Sequence, residues 1–210
     1  TERTVFKHWP GRLIRGGLLM AFVLAGSAAT ANAADFETGY RAYQRGEFAV
    51  AAKEWSTLAV AADTKAQHNL GVLFDQGKGV RLDPAEAVRW WRQAAEGGFR
   101  LAQHNLANAY IAGDGVGQNY EAAVRWLERA SEAGLNRSHY TLGKMYHYGL
   151  GVAVDVKRAT ALYKAAAEAG LDKAQYNLAK AYRDGNGVVQ DHALSVEWFR
   201  RAAEQGYAKA

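Results

Sequence analysis

From Ala66 onward the apolar positions fall into helical spacing twice in every 36 residues, with a polar, glycine-bearing stretch between the two runs. In the first block Ala66, Leu70, Leu73 and Phe74 recur at i, i+4, i+7 and i+8, which lays them on one face of an α-helix. Ala87, Val88, Trp91, Ala94 and Ala95 form a second helical face further on. Gly77-Lys78-Gly79 predicts the end of the first helix, because glycine takes the left-handed C-terminal geometry without steric cost. Asp83-Pro84 predicts the start of the second. The Asp side chain can accept from orphan backbone N–H groups, and Pro sits where its missing N–H is harmless. Gly97-Gly98 predicts the end of that helix. The block therefore reads helix–loop–helix.

The block then repeats. AQHNLGVLFDQGKGVRLDPAEAVRWWRQAAEGG starts at Ala66 and AQHNLANAYIAGDGVGQNYEAAVRWLERASEAG at Ala102. SHYTLGKMYHYGLGVAVDVKRATALYKAAAEAG starts at Ser138 and AQYNLAKAYRDGNGVVQDHALSVEWFRRAAEQG at Ala174. Every offset is 36, without insertion. A fixed period of this size marks a solenoid of stacked helix pairs, each too small to bury its own apolar face. Small residues recur where two helix backbones must approach: Gly71, Ala107, Gly143 and Ala179 in the first helix, Ala87, Ala123 and Ala159 in the second. Gly-x-Gly-Val recurs from Gly77, Gly113, Gly149 and Gly185.

The chain resembles the Sel1-like repeat proteins, a branch of the tetratricopeptide superfamily with a longer loop between the helices. The matching pattern is A-x-x-x-L-(G/A)-x-x-(Y/F)-x-x-G-x-G-V, followed by a Trp/Tyr-rich second helix ending A-A-E-x-G. It divides the chain into units at 66–101, 102–137, 138–173 and 174–209. Residues 34–65 resemble a degenerate tetratricopeptide hairpin without the glycine loop, carrying Tyr40, Tyr43, Gly46, Phe48, Ala51, Ala52, Trp55 and Ala59. Trp55 lies 36 residues before Trp91, in register, and the hairpin suits an N-terminal cap. The fold class expected is all-α: a right-handed α-solenoid of four such units plus the degenerate one. Some relatives are disulfide-rich. This chain has no cysteine, so its stability is expected to come from packing.

Residues 1–33 break the pattern. Lys7, Arg12 and Arg15 precede the apolar run Leu18–Ala25, and small residues lead to Ala31-Asn32-Ala33. That order predicts a Sec-type signal peptide cleaved after Ala33, and a periplasmic or secreted protein. The run falls short of the ~20 residues a membrane span needs. The absence of cysteine excludes a lipoprotein anchor. The formal charge of +5 is mostly leader: four basic side chains against Glu2 give the leader +3, which leaves +2 after cleavage. No nucleic-acid partner is expected from such a balance.

Catalytic signatures are sparse. The chain contains no His-Glu-x-x-His, no Gly-x-Ser-x-Gly, no Ser-x-x-Lys and no Gly-Lys-Ser/Thr. The glycine loops follow helices, not strands, and Gly113-Asp114-Gly115 lacks the remaining ligands of a calcium loop. No enzyme, cofactor or metal is expected. His68 and His104 share one repeat position and read as helix-surface residues lining one face. The tryptophans recur in the second helix and read as inter-helix packing before they read as sugar platforms. Asn69, Asn105 and Asn177 recur as structural asparagines.

Function then rests on a surface. The resemblance implies that the first helices line a concave groove. Off their apolar faces lie His68 and Asp75, then His104 and Asn108. Tyr140, Lys144, His147 and Tyr148 follow in the third unit, and Tyr176, Lys180 and Arg183 in the fourth. The last two units are basic and aromatic, with Asp184 the one acid near them. Tyr and Arg are residue types that carry interface energy. The expectation is a monomeric envelope adaptor or regulator that holds a protein or peptide segment, acidic in character, in this groove. The alternatives are a binder of envelope polysaccharide or peptidoglycan, and one part of a larger protein with a catalytic part beyond residue 210.

Overall fold

A computed structural model describes residues 34–207. The signal-peptide expectation for 1–33 lies outside the described residues, as does Ala210, the next member of the series 66, 102, 138, 174. The described residues form ten α-helices and no strand. The degenerate hairpin is α1 (Phe36–Gln44) and α2 (Phe48–Val60). Four pairs follow: α3 (Thr64–Gln76) with α4 (Pro84–Glu96), α5 (Arg100–Ala112) with α6 (Tyr120–Glu132), α7 (Asn136–Tyr148) with α8 (Val156–Glu168), and α9 (Asp172–Asp184) with α10 (His192–Glu204). Each helix packs mainly on the one before it and the one after it. This all-α solenoid of stacked pairs is the fold class read from the period.

The expected punctuation recurs in every unit. Asp83, Asn119, Asp155 and Asp191 cap the second helices, their side chains accepting from backbone N–H groups three residues on. The first helices end on left-handed glycines, Gly77, Gly113, Gly149 and Gly185. The turn between pairs places Gly98, Gly134, Gly170 and Gly206 at positive φ. In the degenerate hairpin that position is Ala62, at φ 66°, where a Cβ is disfavoured.

Stacking uses three devices. The first matches sizes. Gly39, Gly71 and Gly143 face Trp55, Trp91 and Tyr163, while Ala107 and Ala179 share clusters with the smaller Leu127 and Phe199. The Trp55 and Trp91 indole N–H groups donate to the backbone carbonyls of Phe36 and His68 at 3.3 and 3.2 Å. The second is a buried amide. The side chains of Gln67, Gln103 and Gln175 donate to the carbonyls of Ala59, Ala95 and Ala167, the second-helix ends of the preceding units, at 3.0–3.2 Å. The third is the loop. Gly79, Gly115, Gly151 and Gly187 lie against the first turns of α2, α4, α6 and α8, so closely that a Cβ there would meet backbone. The core is a strip between the helix layers, with Leu70, Leu106, Leu142 and Leu178 at one repeated position, each at most 2% exposed. Trp55, Trp90, Trp91 and Trp198 are buried in it and Trp126 is half-buried, which agrees with the packing reading.

Candidate functional site

At three places successive first helices leave a cup between them, built from the same repeat positions each time. Between α1 and α3 it has a volume of about 160 Å³, with Trp55 and Asn69 among its walls. Between α3 and α5 it has a volume of about 350 Å³, with Trp91 and Asn105 in the same places. Between α7 and α9 it has a volume of about 110 Å³, with Tyr163 and Asn177. A buried ring thus sits beside an asparagine in each cup, and the other positions vary.

Two of the asparagines meet at His68, one from its own repeat and one from the next. Asn105 Nδ2 lies 3.2 Å from His68 Nε2, and His68 Nδ1 lies 3.0 Å from Asn69 Oδ1. An amide nitrogen only donates, so Nε2 accepts and the His68 proton sits on Nδ1. His68 packs on the Phe99 ring at 5.1 Å, and burial lowers its pKa. These histidines and asparagines therefore act as a frame.

His104 corrects the surface expectation. It is 7% exposed, with Nδ1 2.9 Å from Ser138 Oγ and Nε2 3.1 Å from Asn108 Nδ2. Burial first, and the positive charge of Arg137 second, push its pKa down to about 4. Its ring is a neutral inter-repeat link and does not line the groove. Asn108 remains exposed beside it.

Of the other expected residues, His68, Asp75, Asn108, His147, Tyr148 and Lys180 line the cups, whereas Tyr140, Lys144, Tyr176 and Arg183 line none of the three. In the α3–α5 cup, Asp75 and Asp114 are both exposed wall residues. Burial, then the like charge of Asp114, raise the Asp75 pKa. The sequence places Asp114 only in a glycine loop, because the path that returns it to Asp75 cannot be read from spacing. In the α7–α9 cup are His147, Tyr148 and Lys180, with Tyr163 behind them. Tyr148 is 63% exposed, and its ring stands edge-on to His147 at 4.7 Å. Tyr140 packs on Tyr163 at 6.0 Å, and burial raises its pKa. Tyr176 is held between Phe199 and Tyr207 at 5.4 and 5.1 Å.

Arg183 is less available than its sequence position suggests. Its Nε and Nη2 donate to both carboxylate oxygens of Asp184 at 2.7 and 3.0 Å. The pair is exposed, so it contributes little to stability, but it occupies the guanidinium fork. Lys144 and Lys180 are exposed, and among the described residues neither forms an ion pair. Lys180 Nζ lies 6.0 Å from the centre of the Tyr176 ring. Among the described residues no group of three His, Asp or Glu side chains could hold a metal ion, and no helix is long and apolar enough to cross a membrane.

A family model of the Sel1 repeat matches residues 64–99, 100–135, 137–171 and 172–207. These frames follow the helix starts and lie about two residues ahead of those counted from Ala66. Among solved structures, the chain is similar to a protective antigen present in uropathogenic Escherichia coli strains, described as displaying an SLR fold. Identity is 38% and the TM-score 0.78, over 81% of this chain. The chain spans only 38% of that antigen's length. It is also similar to a Sel1 repeat protein from Oxalobacter formigenes, with 32% identity and a TM-score of 0.76, over 82% of this chain and 70% of the other. An immunity protein from Pseudomonas aeruginosa shares the fold at 20% identity and a TM-score of 0.51, over 80% of this chain and 66% of that one. No curated protein matches the chain.

Proposed function

Because this chain belongs to the Sel1 repeat family, whose members generally mediate protein–protein interaction, we propose that it is a non-catalytic adaptor of the bacterial cell envelope. It holds an acidic segment of a partner protein in the groove along α7 and α9. One observation carries this reading. The last cup presents an exposed phenol, Tyr148, and the ammonium of Lys180 beside Asn177; Lys180 forms no ion pair among the described residues, and the one carboxylate on the wall, Asp184, is paired with Arg183. Lys144 adds a second ammonium one repeat earlier. An ammonium bonded to carboxylate is stronger than a neutral pair, and rings beside it supply contact area at low entropic cost. The envelope assignment rests on the charged, apolar, A-x-A order of residues 1–33. The burial of four tryptophans weakens the polysaccharide reading, which needs exposed rings.

The test is recovery of the partner from an envelope extract. Lys144→Glu with Lys180→Glu is a better probe than changes at Arg183, whose fork is already occupied by Asp184. The double variant is expected to lose the partner while its helical circular-dichroism signal is kept, and the exported chain is expected to begin at Ala34 by mass. Wild-type recovery should fall with salt, because exposed charges are screened beyond ~8–10 Å near physiological ionic strength. Full recovery by the charge-reversed protein would refute the site.

A further inference from the structure

The α3–α5 and α7–α9 cups are one construction, displaced by two repeats. Moving these wall positions on by 72 residues turns Trp91 into Tyr163, Asn105 into Asn177, Asp75 into His147, Asn108 into Lys180, Ala112 into Asp184 and Asp114 into Asn186. The ring and the asparagine persist, both carboxylates of the first cup are replaced, and an ammonium, Lys180, enters together with Asp184, which is paired with Arg183. At the α3–α5 end every exposed charged wall group is an acceptor. Asp75 and Asp114 oppose each other, and no basic side chain is among the groups acting on Asp75. The Asn105 amide nitrogen is turned toward His68, which leaves its oxygen without a partner among the described residues. An ammonium or guanidinium group suits that set of acceptors. At the other end Lys144 and Lys180 are free of ion pairs among the described residues, and Asp184 is taken up by Arg183.

Resting on the groove reading above, we propose that the bound segment is bipolar: extended, with a basic side chain in the α3–α5 cup and acidic side chains along α7 and α9. Helices pack 8–10 Å apart, so two repeats separate the cups by roughly 20 Å. An extended chain covers that in about six residues at ~3.3 Å each. The groove then selects on charge order as well as on net charge. A uniformly acidic segment loses half of its contacts and meets Asp75 and Asp114 as like charges.

The experiment uses the full chain and two fluorescent synthetic peptides of equal length with Gly-Ser spacers. One carries two lysines and two glutamates separated by six spacer residues, and the other carries the glutamates alone. At low salt, anisotropy should show the bipolar peptide binding about fivefold to tenfold more tightly, the scale of two exposed charge pairs. Asp75→Asn with Asp114→Asn should reduce it to the affinity of the acidic peptide, and leave the acidic peptide bound at least as well as by wild type. Both changes are at exposed side chains, so the helical signal should be retained. If the acidic peptide binds and the bipolar one is no better, the bipolar inference is overturned and the groove reading stands. If the Asp75/Asp114 variant keeps the bipolar preference, the inference is likewise overturned. Binding of neither peptide overturns both.

Discussion

Gly71→Ala should destabilise this protein, against the usual preference of helices for alanine. A Cβ built at Gly71 lies 2.5 Å from Trp91 Nε1, 2.6 Å from Trp91 Cδ1 and 3.1 Å from the Ala87 carbonyl oxygen. Carbon contacts are comfortable near 3.5–4.0 Å, so the ring must retreat by about 1 Å. It has little room to do so. The indole is 6% exposed, and its N–H donates to the His68 carbonyl at 3.2 Å. Overpacking of this kind costs ~1–3 kcal/mol, while alanine for glycine within a helix returns up to ~1 kcal/mol. A net loss of ~1–2 kcal/mol is expected. The next repeat supplies the control, because Ala107 faces a cluster containing Leu127 where Gly71 faces Trp91. In a Trp91→Leu background the clash is gone, and Gly71→Ala should stabilise by ~0.5–1 kcal/mol. Urea unfolding of the four proteins of this cycle reads the reversal of sign. Equal effects of Gly71→Ala in both backgrounds would show that size matching between the helices is not what sets this position.

Two further outcomes test the frame. An unfolded His104 takes a proton below its ordinary value of 6.5, whereas the folded ring resists protonation down to about 4. Stability from this group is therefore complete above pH 6.5 and declines as pH falls through that window, by about 3 kcal/mol between pH 7 and pH 4. Unfolding of His104→Gln, compared with wild type across that range, should lack this slope, and parallel curves would refute the assignment. Ala62→Gly should raise stability by ~0.5–1 kcal/mol in thermal or urea unfolding, because it relieves a left-handed alanine at the price of some chain entropy. A loss of stability would show that the Ala62 side chain has a packing role.

The repeat architecture was legible because a whole unit recurs, so each helix face, cap and glycine is read four times over. The small positions Gly71 and Gly143 were visible as helix contacts. Their partners were not, since the match with Trp91 and Tyr163 depends on which turn of the second helix crosses them. His104 was misread for a similar reason. Its spacing is that of an exposed position, and its burial depends on Ser138 of the next unit. The candidates that line a cup were legible from their place on the first helices, but the pairing of their charges was not. Asp184 neutralises Arg183 at a helix end where adjacent side chains converge, and Asp114 joins Asp75 only through the path of a loop.

The loop glycines that rest on the preceding helix make each unit a module joined by a contact one peptide thick. A gain or loss of one residue inside a unit breaks that joint, whereas a gain of 36 residues repeats it. Among the four full units, change in length is therefore expected in whole units, and an added unit brings the repeat positions from which a cup is built. Once duplicated, a cup's wall can accept substitutions while the ring and asparagine behind it stay fixed. Gene duplication followed by charge drift is thus a short evolutionary route from one binding surface to a row of different ones.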